Sequence, residues 1–214
     1  MKNKKDTIEI INIIKNTYPE ATCSLNFSTP FEMLVAVCLS AQCTDERVNK
    51  VTDNLFKIAN APKDFFNIDI SKLEQLIHSC GFYKNKAKNL KLASEKIIND
   101  FNGEVPDNIK DLITIPGVGR KSANVIMLEA FNDPQGIAVD THVGRISQRI
   151  GFSKNKDPEK IEKDLLRQIP KEYYKDVNHI FIWHGRNTCS SQKPKCDICP
   201  ITKYCNYYKK INKK

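Results

Sequence analysis

The sequence predicts an all-α fold. Apolar residues recur at three- and four-residue spacing through most of the chain. Helix-start signals built from Thr, Ser, Asp and Pro stand before several of these stretches. No alternating run and no Asn-Gly hairpin turn marks a strand. With 214 residues, 40% of them hydrophobic, the chain can bury real cores. No apolar run approaches the ~20 residues of a membrane span.

In chain order, Ile8, Ile11 and Ile14 give the first helix its stripe, and Pro19 lies past its end. Thr29-Pro30-Phe31-Glu32 reads as a capping box with proline at the first helical position. The helix it opens, Phe31 to about Ala41, is apolar on nearly all sides and predicts the buried centre of a domain. Thr44 can cap a helix carrying Val48, Val51, Leu55 and Ile58. Ser71-Lys72-Leu73-Glu74 reads as a second capping box, with Gly81 as its stop. A helix is expected from Lys84 to Phe101, with Gly103 after it. Asp107 can cap a short helix to Ile115, and residues 120–131, 141–150, 158–169 and 172–187 complete the set. The turn-rich Asn132-Asp133-Pro134-Gln135-Gly136 is the best seam.

Charge divides at the same seam. The net charge is +9, yet residues 134–214 hold 17 basic and 8 acidic side chains and carry an excess equal to the whole. Such asymmetry fits a polyanionic partner; a Lys-rich, merely soluble composition explains the sum equally well. The charged start Met1-Lys2-Asn3-Lys4-Lys5-Asp6 leads into no apolar core and no small-residue cleavage site, so the expected location is cytoplasmic, at the nucleoid.

Of eight cysteines, Cys38 lies in an apolar run and reads as a buried free thiol. Cys189, Cys196, Cys199 and Cys205 crowd together instead. Without a secretion signal such a group points to metal rather than disulfides. Four thiolates suit zinc or a 4Fe-4S cluster. Zinc ribbons usually pair two Cys-x-x-Cys knuckles, and only one occurs here. Four protein ligands would close the site, which makes its role structural. The loop inside it, Ser190-Ser191-Gln192-Lys193-Pro194-Lys195, offers Lys193 and Lys195 to phosphates.

The most informative stretch is Ile115-Pro116-Gly117-Val118-Gly119-Arg120-Lys121-Ser122-Ala123. Helices flank a tight Pro-Gly-Val-Gly hairpin. Gly117 and Gly119 allow positive φ and close backbone approach, and the amides opening the next helix suit a phosphate. Lys121 falls in that helix's first turn, where the positive dipole end disfavours its charged form. A lysine there can simply touch a phosphate, and an amine kept neutral can act as a nucleophile. Asp140 follows an apolar run and can cap the helix from Thr141.

This hairpin, followed by Ala138-Val139-Asp140-Thr141-His142, resembles the endonuclease III family of helix-hairpin-helix DNA glycosylase/AP lyases. The resemblance extends through Leu39-Ser40-Ala41-Gln42, Gly81-Phe82-Tyr83, Asn102-Gly103-Glu104-Val105-Pro106, His184-Gly185-Arg186 and the four cysteines. It implies a two-lobed helical fold: a six-helix domain over 23–133, and a cluster domain from 1–22 plus 134–214, with a DNA cleft between. It implies Lys121 as nucleophile, Asp140 as its assisting carboxylate, and a 4Fe-4S cluster on the four cysteines. Gln42 would fill the gap left by a flipped base, Phe82 would wedge between base steps, and His142 would line the lesion pocket. Phe82 stands where the family's wedge is usually aliphatic, and Ile113 where some relatives carry an acid. The implied substrate is an oxidised pyrimidine in damaged double-stranded DNA, bound by a monomer with no membrane partner. A monofunctional glycosylase and a non-catalytic DNA-binding module are the competing readings.

Overall fold

The computed structural model describes residues 2–212, and every regular element among them is helical. The chain forms two compact units, one from Ser24 to Gln135 and one joining the segment up to Cys23 with the segment from Gly136 onward.

The second unit opens with α1 (Lys4–Thr17), capped by Asn3, whose side chain accepts from the Asp6 amide. The first unit holds α2 (Pro30–Ser40), α3 (Asp45–Leu55), α4 (Pro62–Asn67), α5 (Ile70–Ile77), α6 (Tyr83–Asp100), α7 (Ile109–Leu112) and α8 (Arg120–Phe131). Residues Phe31 to Leu39 of α2 are all buried, as its all-round apolar sequence predicts. Met33, Leu34 and Leu39 are fully enclosed, each contributing about 1.5–3 kcal/mol of burial. Around α2 pack α3, α6 and α8.

Several local readings shift. Thr29 caps α2 through the Glu32 amide, but Glu32 returns to the Ser28 amide, one residue earlier than a capping box requires. Thr44 caps α3 as expected. Ile58 lies beyond that helix and is 54% exposed, so it is not part of the stripe. Asp69, not Ser71, caps α5: its carboxylate accepts from the amides of Ser71 and Lys72. Asn108, not Asp107, caps α7 through the Asp111 amide. In both cases the Asp or Asn whose side chain reaches two or three residues ahead wins over its neighbour. The short α4 has no apolar period to announce it. Gly81 comes after the end of α5 and takes positive φ (+38°) in the turn into α6.

The second unit continues with α9 (Thr141–Ile150), α10 (Pro158–Gln168), α11 (Tyr174–Asn187) and α12 (Asn206–Ile211). Its core joins Ile10, Ile11 and Ile14 of α1 to Val143, Ile146 and Ile150 of α9 and to Val177, Ile180 and Phe181 of α11. The first helix is therefore built into the core of the C-terminal segment. Gly151 ends α9 in the left-handed region (φ +102°), where an added Cβ would stand 2.1 Å from Asn206 Nδ2.

Candidate nucleic-acid interface and cysteine centre

Hairpin geometry follows from its residues. The Val118 amide donates to the Ile115 carbonyl at 3.0 Å, with Pro116 and Gly117 at the turn's centre. Gly117 has φ +85°, the value a Pro-Gly turn of type II demands. Asn89 would also crowd a Cβ there, at 3.3 Å. Buried Cys38 of α2 donates its thiol to the Gly117 carbonyl at 3.8 Å, and burial pushes that thiol up to about 12. It is the buried free cysteine expected.

Gly119 departs from expectation. Its φ is −91° with ψ 176°, extended backbone open to any residue. An added Cβ would meet nothing within 4 Å. Neither backbone strain nor a neighbour in the chain demands glycine here; the space in front of it is open. As the N-cap of α8, Gly119 gives that helix no side-chain cap, whereas a side-chain acceptor caps α2, α3, α5, α9 and α10. The mouth of α8 is thus a ready acceptor for an external anion. Lys121 stands exposed in its first turn.

In the same unit, Gln42, Phe82 and Gly117 line one open cavity, together with Asn85, Lys86 and Asn89. Gln42 and Phe82 both take left-handed φ, +53° and +52°. Phe82 is 65% exposed, a large apolar ring held in solvent rather than a core aromatic. Ile113, 46% exposed, sits just after α7.

Asp140, in the second unit, is the N-cap of α9, its Oδ1 accepting from the Val143 amide at 2.7 Å. No hydrogen bond among the described residues engages Oδ2. His142 lies half-buried in the first turn of the helix. Arg145 Nη2 stands 3.1 Å from its Nδ1. Arginine can only donate, so Nδ1 accepts and the ring proton sits on Nε2. Burial holds His142 below the usual histidine range; Arg145 and Arg186 add to this, and Asp140 opposes it. An alanine at 185 would place its Cβ 2.6 Å from His142 Nδ1, so Gly185 is what lets α11 pass so near.

All four clustered cysteines line a single cavity, with Ile146, Ile150 and Ile201 among its apolar walls. Short 3-10 turns at Cys196–Ile198 and Thr202–Tyr204 carry the chain between them. Among the described residues no three His, Cys, Asp or Glu side chains converge on one ion. A 4Fe-4S cluster does not need them to, because each thiolate binds a different iron. The surroundings fit an anionic thiolate set. Arg149 Nη1 donates to Cys189 Sγ at 3.2 Å and to the Ser190 carbonyl at 2.6 Å. Its Nη2 reaches the Ser191 carbonyl at 2.9 Å, and its guanidinium stacks on Tyr207. Arg145 reaches the Cys189 carbonyl at 3.1 Å. Lys193 (φ +45°) and Lys195 stand exposed in the loop so fixed. The sequence reading missed Arg145 and Arg149; their four-residue spacing on α9 was the available signal. It also missed Lys86, whose only signal is a lysine at a buried helical position.

Known proteins resemble this chain over nearly all of its length. Residues 35–171 match the HhH-GPD superfamily of base excision DNA repair proteins, and residues 189–205 match the iron-sulfur binding domain of endonuclease III. The chain is 48% identical over 202 residues to endonuclease III of Synechocystis sp., covering 94% of this chain and 92% of that one. It is 45% identical over 215 residues to endonuclease III of Bacillus subtilis, covering 100% and 98%. A solved structure of a trapped endonuclease III–DNA covalent intermediate superposes with a TM-score of 0.91 at 42% identity, covering 99% of each chain. With both segments matched and endonuclease III relatives aligned over nearly the full length, the chain belongs to the endonuclease III family, the iron–sulfur DNA glycosylase/AP lyases of base-excision repair.

Proposed function

We propose that the protein removes oxidised pyrimidines from duplex DNA and nicks the strand through a lysine Schiff base. The observation that carries this reading is Lys121, exposed in the first turn of a helix with no side-chain cap, directly after the Pro-Gly hairpin. The mouth of α8 binds a backbone phosphate, Gly119 leaving room for it. The Lys121 amine attacks C1′ as the bond to the damaged base breaks. The nitrogen then loses a proton and expels O4′, which is protonated as the sugar ring opens, leaving a protonated Schiff base; a C2′ proton is removed, and the 3′ phosphate leaves by β-elimination. Asp140 keeps its cap through Oδ1 and offers Oδ2 to the positive charge developing on the sugar. Gln42 takes the place of the extruded nucleotide and Phe82 wedges the neighbouring step. His142 presents its Nε2–H to the lesion. Lys193 and Lys195 supply phosphate contacts.

The four cysteines hold the 4Fe-4S cluster, whose contribution when bound is to crosslink the loop that displays those lysines. No helix among the described residues is long and apolar enough to cross a membrane. We place the protein at the nucleoid as a monomer. Duplex DNA carrying thymine glycol provides the test. Release of the base and a nick ending in an unsaturated sugar aldehyde are expected. Base release with the strand left intact would favour a monofunctional glycosylase, and binding without either product a non-catalytic module.

A further inference from the structure

Lys86 is 7% exposed, yet no carboxylate is hydrogen-bonded to it among the described residues. Its ammonium donates all three of its protons to backbone carbonyls: Leu39 at 2.8 Å, Ala41 at 2.7 Å and Cys80 at 2.7 Å. Two of these belong to the end of α2, where carbonyls lack intrahelical partners and the dipole is negative. The third belongs to the turn that leads into α6. Lys86's own amide donates to the Phe82 carbonyl at 3.1 Å. One side chain thus closes a helix it does not belong to and ties that end to a second turn.

What flanks these carbonyls gives the arrangement its meaning. Gln42 follows Ala41, while Gly81 and Phe82 follow Cys80. All three have positive φ, and two of them carry side chains. Such residues cost about 1–3 kcal/mol each and persist only where the surroundings over-determine them. A Cβ on Gly81 would lie 4.0 Å from the Gln42 carbonyl, so the two turns are side by side. We infer that Lys86 is a positioning residue: its buried ammonium holds the Gln42 and Phe82 turns in the strained, paired conformation that enters the DNA stack. This rests on the roles given above to Gln42 and Phe82. It assigns Lys86 no contact with DNA. The enzyme meets the duplex with its insertion residues already set, so the ordering cost is absent from the binding step.

The test uses Lys86→Met, which keeps the stem and removes the three donors. Base extrusion is read by 2-aminopurine fluorescence beside the lesion, and kcat/KM is compared on duplex and single-stranded abasic DNA. Gln42→Ala and Phe82→Ala are measured alongside. Hydrogen exchange follows the amides of Cys43 and Cys80, which donate to Ser40 and Ile77 in the two turns. Lys86→Met is expected to speed both amides, weaken the extrusion signal about tenfold, and lose about tenfold more kcat/KM on duplex than on single strand. A general loss of stability would lower both substrates together, and that result overturns the proposal. So does normal extrusion in Lys86→Met while Gln42→Ala and Phe82→Ala lose it. If those two variants extrude the base normally, the wedge reading fails, and the positioning role falls with it even where exchange is faster. Should Lys86→Met not fold, the wild type decides: both amides must exchange as slowly as the interior of α2, and rapid exchange refutes the inference.

Discussion

Two loops of this molecule are held by opposite means. The turns that carry Gln42 and Phe82 are fixed by the chain itself: a buried ammonium on three carbonyls, packed against α2, which is buried from Phe31 to Leu39. The loop that carries Lys193 and Lys195 has little apolar cover. It hangs between cysteines, with Arg145 and Arg149 holding its backbone. Rigidity that Lys86 and a core supply in the first case is shared in the second between two arginines and the cluster. The two should therefore fail under different insults, one through core or strain mutations and the other through loss of cluster.

The cysteines should show the greatest sensitivity to substitution. Cys199→Ser would take away one of the four proposed ligands and leave the cluster underheld, and metal-site folding energy is large. Residues 136–212 should lose their protection to protease while 24–135 remains a resistant fragment. Equal digestion of both units would show that the cluster is not what holds the loop.

Asp140 comes next. Asparagine caps helices as well as aspartate, whereas alanine costs about 1 kcal/mol. Asp140→Asn should keep the melting temperature of the wild type and lose roughly a hundredfold or more in kcat. Asp140→Ala should lose both. If Asp140→Asn retains its kcat, capping is the aspartate's whole function.

The hairpin glycines sharpen the contrast between strain and access. Gly117→Ala should destabilise the fold by about 1–2 kcal/mol, because φ +85° and Asn89 both oppose a Cβ. Gly119→Ala should cost less, under about 1 kcal/mol, the loss of a poorer N-cap without backbone strain. It should nevertheless weaken DNA binding, because its methyl enters the space left for phosphate. Paired thermal melts and binding isotherms separate the two, and equal losses of stability would contradict the distinction. The smallest effect belongs to the lysine loop. Replacing Lys193 and Lys195 by alanine should flatten the dependence of log K on log salt by about 1.8, from ~0.9 per phosphate contact. An unchanged slope would remove both from the interface.

Much of this was legible in the sequence. Helix periods, the buried α2, the Pro-Gly hairpin, Asp140 as a cap and the four-cysteine loop all follow from residue chemistry at fixed spacing. What escaped was decided by tertiary context. Asp69 and Ser71 are both good caps, and only backbone placement selects the first. Gly119 and Gly117 read alike until their φ values separate them. Lys86 looks like any helical lysine until α2 supplies its carbonyls.

The proposed chemistry stands on Lys121 as the covalent nucleophile. Borohydride reduction during reaction with thymine-glycol duplex, followed by mass spectrometry of the trapped peptide, tests it most directly. A sugar adduct on Lys121 is expected, with no crosslink in Lys121→Ala. An adduct on another amine, or DNA binding without any crosslink, would contradict it.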